Sequence, residues 1–187
     1  MPKIEKPTGY TQASAWSHWA YLISIIDLGT QPGSQAFPTP KRMVKLQFEL
    51  PLEKAVFDWV EKPLSVWATY SLSTGEKAKF RSVFEALFQG TPEDTDYYEI
   101  NFDKLIGSPC TITLVENGEY INVTQVAPLT KWITLPPVYN ELKVFDIDRL
   151  DEDKMQKVLN NLWEKMKEKI MSSPEYSTSK DGLDIPF

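Results

Sequence analysis

Residues Lys41–Pro51 read KRMVKLQFELP. Along an extended chain Val44, Leu46, Phe48 and Leu50 fall on one side. Lys41, Met43, Lys45, Gln47 and Glu49 fall on the other. Period two over ten residues predicts a half-buried β-strand. A lone strand or hairpin is barely stable in water, so the neighbours decide the architecture. Downstream, PLSVWATYSL (Pro63–Leu72) alternates too, with Leu64, Val66, Ala68, Tyr70 and Leu72 opposed to Ser65, Trp67, Thr69 and Ser71. Upstream, Trp19–Thr30 is dense in Ile, Leu and Tyr and ends near Gly29, a third strand. The Pro-rich segment 31–40 between the first two strands reads as a flexible loop or clamp. Leu52–Lys62 reads as a turn or short excursion.

After the third strand the period changes. Phe80, Val83, Phe84, Leu87 and Phe88 recur at three-to-four spacing, a helix capped by Ser73 or Thr74 and closed by Gly90. Pro109–Val115 and Tyr120–Leu129 then form a hairpin, with Asn117-Gly118 as a type I′ turn and Ile112 and Leu114 facing Ile121 and Val123. Three strands, a helix and two strands is the element order of the five-stranded OB-fold barrel. Strands 2–3 and loops 1–2 and 4–5 of that barrel bind oligonucleotides or oligosaccharides. The expected fold is therefore mainly β: an OB-fold barrel over residues 19–130, with the helix between strands 3 and 4. Other small barrels and α+β sheets share this element count and stay open. Residues 1–18 read as a polar arm. Residues 131–171 read as an extended segment and one long amphipathic helix from about 151. The Ser-rich stretch 172–187 reads as a disordered acidic tail.

Composition narrows the function. Of 187 residues 42% are hydrophobic, enough for a core, so wholesale disorder is excluded. One Cys and one His leave no Cys-based zinc site, and any triad would rest on His18 alone. No Gly-rich phosphate loop occurs. Glu93, Asp94, Asp96, Glu99 and Asp103 lie in a loop and read as a solvated acidic cluster. The expectation is no enzyme, no metal and no cofactor. No apolar run long enough for a signal sequence or a membrane span is seen, and the lone Cys110 suits a reducing compartment, so a cytoplasmic location is expected. Net charge is −6, but residues 1–90 carry +2 and residues 91–187 carry −8. Such asymmetry fits a division of labour.

The outward faces of strands 2 and 3 carry Lys41, Met43, Lys45 and Gln47 beside Trp67 and Thr69. A large ring beside lysines on a solvent face is either a platform for unpaired bases or a surface covered by the C-terminal helix or the N-terminal arm. Tyr120, Phe37 and Arg42, the last escaping to the rim, complete the expected DNA-binding set. Lys77, Lys79 and Arg81 read as the solvated face of the helix.

The sequence ends Asp184-Ile185-Pro186-Phe187, which resembles the C-terminal tip of bacterial single-stranded DNA-binding proteins. IIDLGTQ (25–31), KRMVKLQFELP, IGSPCTITLV (106–115) and KIMSSPEY (169–176) are similar to a phage-encoded protein of that kind, from a replication or recombination module. The resemblance implies sequence-non-specific coating of single strands by the barrel. It also implies recruitment of replication, recombination or repair proteins by the tip, through Asp181, Asp184, Ile185, Pro186 and Phe187. A terminal ring and carboxylate fit an apolar pocket beside a cation. The tip has fewer acidic residues than the family's, and the long helix is outside the bacterial pattern. Tetramerisation is therefore not carried over, and a homodimer stays open. A protein-binding barrel and a strand-annealing accessory are the alternatives.

Overall fold

The central strand, β1 (Ser17–Gln31), is buried along most of its length, Leu22 to Leu28 without a break. The structure, a computed structural model, describes residues 12–149 and 152–181. Five further strands build one sheet with β1: β2 (Lys41–Phe57), β3 (Val60–Ser71), β4 (Pro109–Asn117), β5 (Tyr120–Pro128) and the short β6 (Lys143–Phe145). Their order is β3-β2-β1-β4-β5, antiparallel throughout, with β6 joining β1 in parallel. The outer strands β3 and β5 approach each other without forming a ladder. Helix α1 (Lys79–Leu87) packs on β3, β4 and β5 at that opening.

Two apolar clusters lie on opposite sides of β1. Leu22 and Ile25 point into the larger one, with Val44, Leu46, Phe48 and Leu50 of β2, Phe80, Val83, Phe84 and Leu87 of α1, and Cys110, Ile112 and Leu114 of β4. The alternation of β2 is thus realised as read, as is the apolar stripe of α1. Burial pushes the Cys110 thiol up to about 12, so it stays neutral. Ile26 and Leu28 point the other way, into a cluster with Phe145, Ile147, Met155, Leu159, Met166, Ile170 and Tyr176. Two register shifts in the β1–β2 pairing, at Leu22/Ser24 and Asp27/Gly29, accompany this.

Several expectations are corrected. The segment 52–62 is no excursion: β2 and β3 continue as a ribbon to the two-residue turn Asp58-Trp59, both at positive φ (47° and 67°), as a type I′ turn requires. The β4–β5 turn is Gly118-Glu119, with Asn117 paired to Tyr120. Of its two residues only Gly118 has positive φ, the pattern of type II′ rather than I′. Neither Ser73 nor Thr74 caps α1. Its N-cap is Ala78, and the Thr74 hydroxyl donates instead to the Tyr97 carbonyl.

The single long helix is two, α2 (Glu152–Leu159) and α3 (Glu164–Met171). Asn160 and Asn161 form the break. Asn161 turns its side-chain amide back onto the Lys157 carbonyl (2.9 Å), and Trp163 is extended (φ −62°, ψ 143°). Asparagine competes for backbone bonds and favours turns over helix interiors. Nor is the whole of 172–187 without structure: α4 (Pro174–Asp181) follows. Its helical tendency is weak, so tertiary anchoring holds it. Ser173 and Tyr176 are buried, and the Glu175 carboxylate accepts both the Thr30 N–H (2.8 Å) and the Thr30 hydroxyl. Burial works against that charge, but the Thr30 bonds prevail and hold the Glu175 pKa low.

Gly29 permits this docking. Its φ is +67°, and a Cβ built there would sit 2.3 Å from Ser173 Oγ. Gly29→Ala is therefore expected to cost about 1–3 kcal/mol, from left-handed strain plus displacement of the α3–α4 junction. Hydrogen exchange should show α2–α4 losing protection ahead of the sheet. Adding Ser173→Gly should recover the steric part alone. Equal protection in wild type and Gly29→Ala would disprove this role.

Candidate nucleic-acid interface

The register of β2 on β3 sets the face. Lys45 pairs with Thr69, Gln47 with Trp67, Glu49 with Ser65 and Met43 with Ser71. These side chains point away from the larger cluster, as period two demands. Two cavities follow one another along this face. The first, about 280 Å³, lies under the β1–β2 loop and is lined by Phe37, Lys41, Met43 and Thr69, with Lys169 of α3. The second, about 660 Å³, is lined by Lys45, Gln47, Lys62, Trp67, Tyr120, Lys143 and Trp163, among others.

Their charge is one-sided. Five lysines line the two cavities (Lys41, Lys45, Lys62, Lys143 and Lys169) against one carboxylate, Glu141. Among the described residues only Lys143 of the five pairs with a carboxylate, Glu141 at 3.7 Å. An anionic chain thus gathers unneutralised cations in one place.

At the centre Lys45 reaches between two indoles. Its Nζ is 5.2 Å from the Trp67 ring centroid and 5.5 Å from that of Trp163. The two rings are 6.0 Å apart and tilted by 58°. Trp67 is half-buried and Trp163 is 62% exposed. Burial lowers the Lys45 pKa, and Lys169 lowers it further. Phe37 and Tyr120 are 70% and 72% exposed, and Lys41 Nζ stands 6.0 Å from the Phe37 ring.

Most of the expected DNA-binding residues meet here: Lys41, Met43, Lys45, Trp67, Thr69, Phe37 and Tyr120 all line one of the two cavities. Met43 does so half-buried against the C-terminal cluster. Arg42 does not join them and is corrected. Parity turns it to the opposite side, where its guanidinium bonds the fully buried Asp27 (Nε to Oδ1, 3.2 Å) and Asp148 (2.8 Å). Those bonds raise its pKa further. Glu49, which the alternation places on this same side, is buried. It accepts the N–H groups of Tyr139 (2.8 Å) and Asn140 (2.8 Å) and the Asn140 side-chain amide (2.6 Å). That ties the chain after β5 across the face and makes Asn140 a wall of the second cavity.

Sequence reasoning missed Trp163, Lys62, Lys143 and Lys169. Trp163 falls inside the single long helix that the sequence predicts from about 151. The Asn160-Asn161 pair was the available signal that the stripe is interrupted there. Asp181 ends α4, and Asp184, Ile185, Pro186 and Phe187 lie outside the described residues.

A larger cavity, about 790 Å³, adjoins Arg42, Tyr97, Asp146, Asp148 and Arg149. Its cations are already neutralised: Arg42 by Asp27 and Asp148, Lys104 by Asp96 (2.7 Å), and Arg149 by Asp103 (2.9 Å). It therefore offers an anion little. Among the described residues no three His, Cys, Asp or Glu side chains converge as a metal site, and no helix is long and apolar enough to cross a membrane. His18 lies beside the Ser14 carbonyl (2.8 Å) and Glu53 (3.6 Å). The chain matches no known protein-family profile and no curated protein sequence.

Lys45 is expected to titrate below the exposed lysines, because burial and Lys169 both disfavour its ammonium. NMR of ¹³C-dimethylated lysines across alkaline pH checks this. Lys169→Met should move the Lys45 resonance only part of the way back, since burial is the larger cause. A full return to the ordinary lysine value would overturn that ranking.

Proposed function

We propose that the chain is a sequence-non-specific single-stranded DNA-binding protein of a phage replication or recombination module. Its sheet is read as a partly open OB-fold barrel. The strand order, the placing of α1 between β3 and β4 at the unladdered β3–β5 opening, and the use of the β2–β3 face all support that reading. The observation that carries the function is the gathering of five lysines and the rings of Phe37, Trp67, Tyr120 and Trp163 along one pair of adjoining cavities. Phosphates meet Lys41, Lys45 and Lys169, and an unpaired base stacks on Trp67. The loop at 31–40 and the β4–β5 turn border the path. The C-terminal tip recruits replication, recombination or repair proteins, as the resemblance implies.

A labelled oligo(dT) titrated at two salt concentrations tests the reading. Binding is expected to be largely independent of base sequence and to weaken with salt. Trp67→Ala should cost about 1–3 kcal/mol on every sequence alike. Each of Lys41→Ala and Lys45→Ala should lower the magnitude of the salt slope by about 0.7. Thermal unfolding controls for packing lost at half-buried Trp67. Absence of strand binding at low salt sinks the assignment. Removing residues 184–187 should spare strand affinity and abolish co-purification of partner proteins from an infected-cell extract.

A protein-binding role is the second reading, and one observation favours it. The β2–β3 ribbon ends in an exposed apolar tip: Val56 is 66%, Trp59 88% and Val60 48% exposed. The same titration separates the two, because a protein adaptor leaves oligo(dT) anisotropy unchanged.

A further inference from the structure

Trp67 is not free to stack. Trp163 lies over it at 6.0 Å, and the 58° tilt leaves no parallel slot in which a base could sit between the two rings. The Lys45 ammonium stands beside both rings, within 5.2 Å and 5.5 Å of the two centroids. A planar base stacked on Trp67 from the side of Trp163 therefore requires Trp163 to leave. The fold makes this feasible. Trp163 is mostly exposed and stands outside any helix, at the extended junction where Asn160 and Asn161 interrupt α2 and α3. Its neighbours Met166 and Ile170 are the residues that anchor α3 in the C-terminal cluster, so the ring can rotate while the helix stays docked.

We infer that Trp163 is a displaceable placeholder for a nucleic-acid base, occupying the stacking surface of Trp67 until an unpaired strand replaces it. This rests on the proposed strand-binding function and adds a regulation to the same site. Ring exchange removes one aromatic contact and supplies another. A phosphate arriving at Lys45 replaces the ring faces around that cation. Weak anionic or aromatic ligands that cannot do both at once leave Trp163 in place. The site thus favours a ligand carrying base and phosphate together, repeated along a strand.

The test is fluorescence anisotropy of labelled oligo(dT) with the full chain, its Trp67→Ala, Trp163→Ala and Trp163→Phe variants, and the double variant. Removing the competing ring is expected to tighten binding about threefold to tenfold, from the size of one aromatic pair. Trp163→Phe should fall between wild type and Trp163→Ala. In the Trp67→Ala background, Trp163→Ala should have no effect, because the ring competes only for Trp67. Weaker binding by Trp163→Ala would make Trp163 a second stacking platform and overturn the proposal, and unchanged binding would overturn it as well. Both results leave the function standing if wild type binds and Trp67→Ala is impaired. No binding by wild type removes function and placeholder together. If Trp163→Ala does not fold, Trp163→Phe and 5-fluorotryptophan ¹⁹F NMR decide. The Trp163 resonance must shift on adding oligo(dT), and a static resonance counts against displacement.

Discussion

A strand buried on both faces cannot be finished by its own sheet, and β1 is such a strand. Leu22 and Ile25 take one side, and Ile26 and Leu28 the other. The first side is covered by the curl of the sheet and by α1. The second needs a separate cover, which α2, α3 and α4 provide after the chain returns alongside β1 as β6. Gly29 lets that cover come close, and Glu175 fastens it to Thr30. The position of α3 then follows, and with it the position of Trp163 and Lys169 beside the β2–β3 face. The C-terminal helices are therefore both a structural lid on β1 and one wall of the candidate interface.

Electrostatics on this face run against the composition. The whole chain carries −6, yet of the carboxylates around β1 and β2 two are turned inward, and the cavities themselves are lined by Glu141 alone. Glu49 is spent on three donors from Tyr139 and Asn140, and Asp27 is spent on Arg42 and the Gly29 N–H. What lines the two cavities is then five lysines against the single carboxylate of Glu141. Long-range repulsion from the rest of the chain is screened within about 8 Å at physiological salt, so the local excess of lysine governs contact with an anion. A net charge computed over the sequence is a poor guide to a surface when the acidic groups are bonded inward.

How much was legible follows from which residues carry a periodic signal. The alternation of Val44, Leu46, Phe48 and Leu50 gave β2 its correct faces, and the three-to-four spacing of Phe80, Val83, Phe84 and Leu87 gave α1 its buried stripe. With those came Lys41, Lys45, Trp67 and Thr69 on one outward face. Features set by tertiary contact were not legible. Glu49 looks exposed by parity, and only the later approach of Tyr139 and Asn140 buries it. Arg42 was expected at the rim, but a buried carboxylate two strand positions from Gly29 claims it. The order of α4 depends on Tyr176 and Glu175 finding β1, which no local pattern encodes. The near-continuous apolar run Leu22–Leu28 was an unread signal, because a strand buried on both faces loses its alternation.

The side chains on this face also bear on what kind of recognition it can support. Reading a base edge calls for a fork of donors or of donor and acceptor, typically from Arg, Asn or Gln. Every such group near the face is already engaged. Arg42 holds Asp27 and Asp148 on the far side, the Gln47 amide donates to Ser65 Oγ (2.9 Å), and the Asn140 amide donates to Glu49. The other prominent groups lining the two cavities are rings, which stack on any base alike, and ammoniums, which meet any phosphate alike. A surface whose forked donors are consumed by its own fold has little with which to prefer one base over another. On the proposed reading, lack of sequence preference then follows from how Glu49 holds the Asn140 amide and Ser65 the Gln47 amide, and is not a separate property of the binding face.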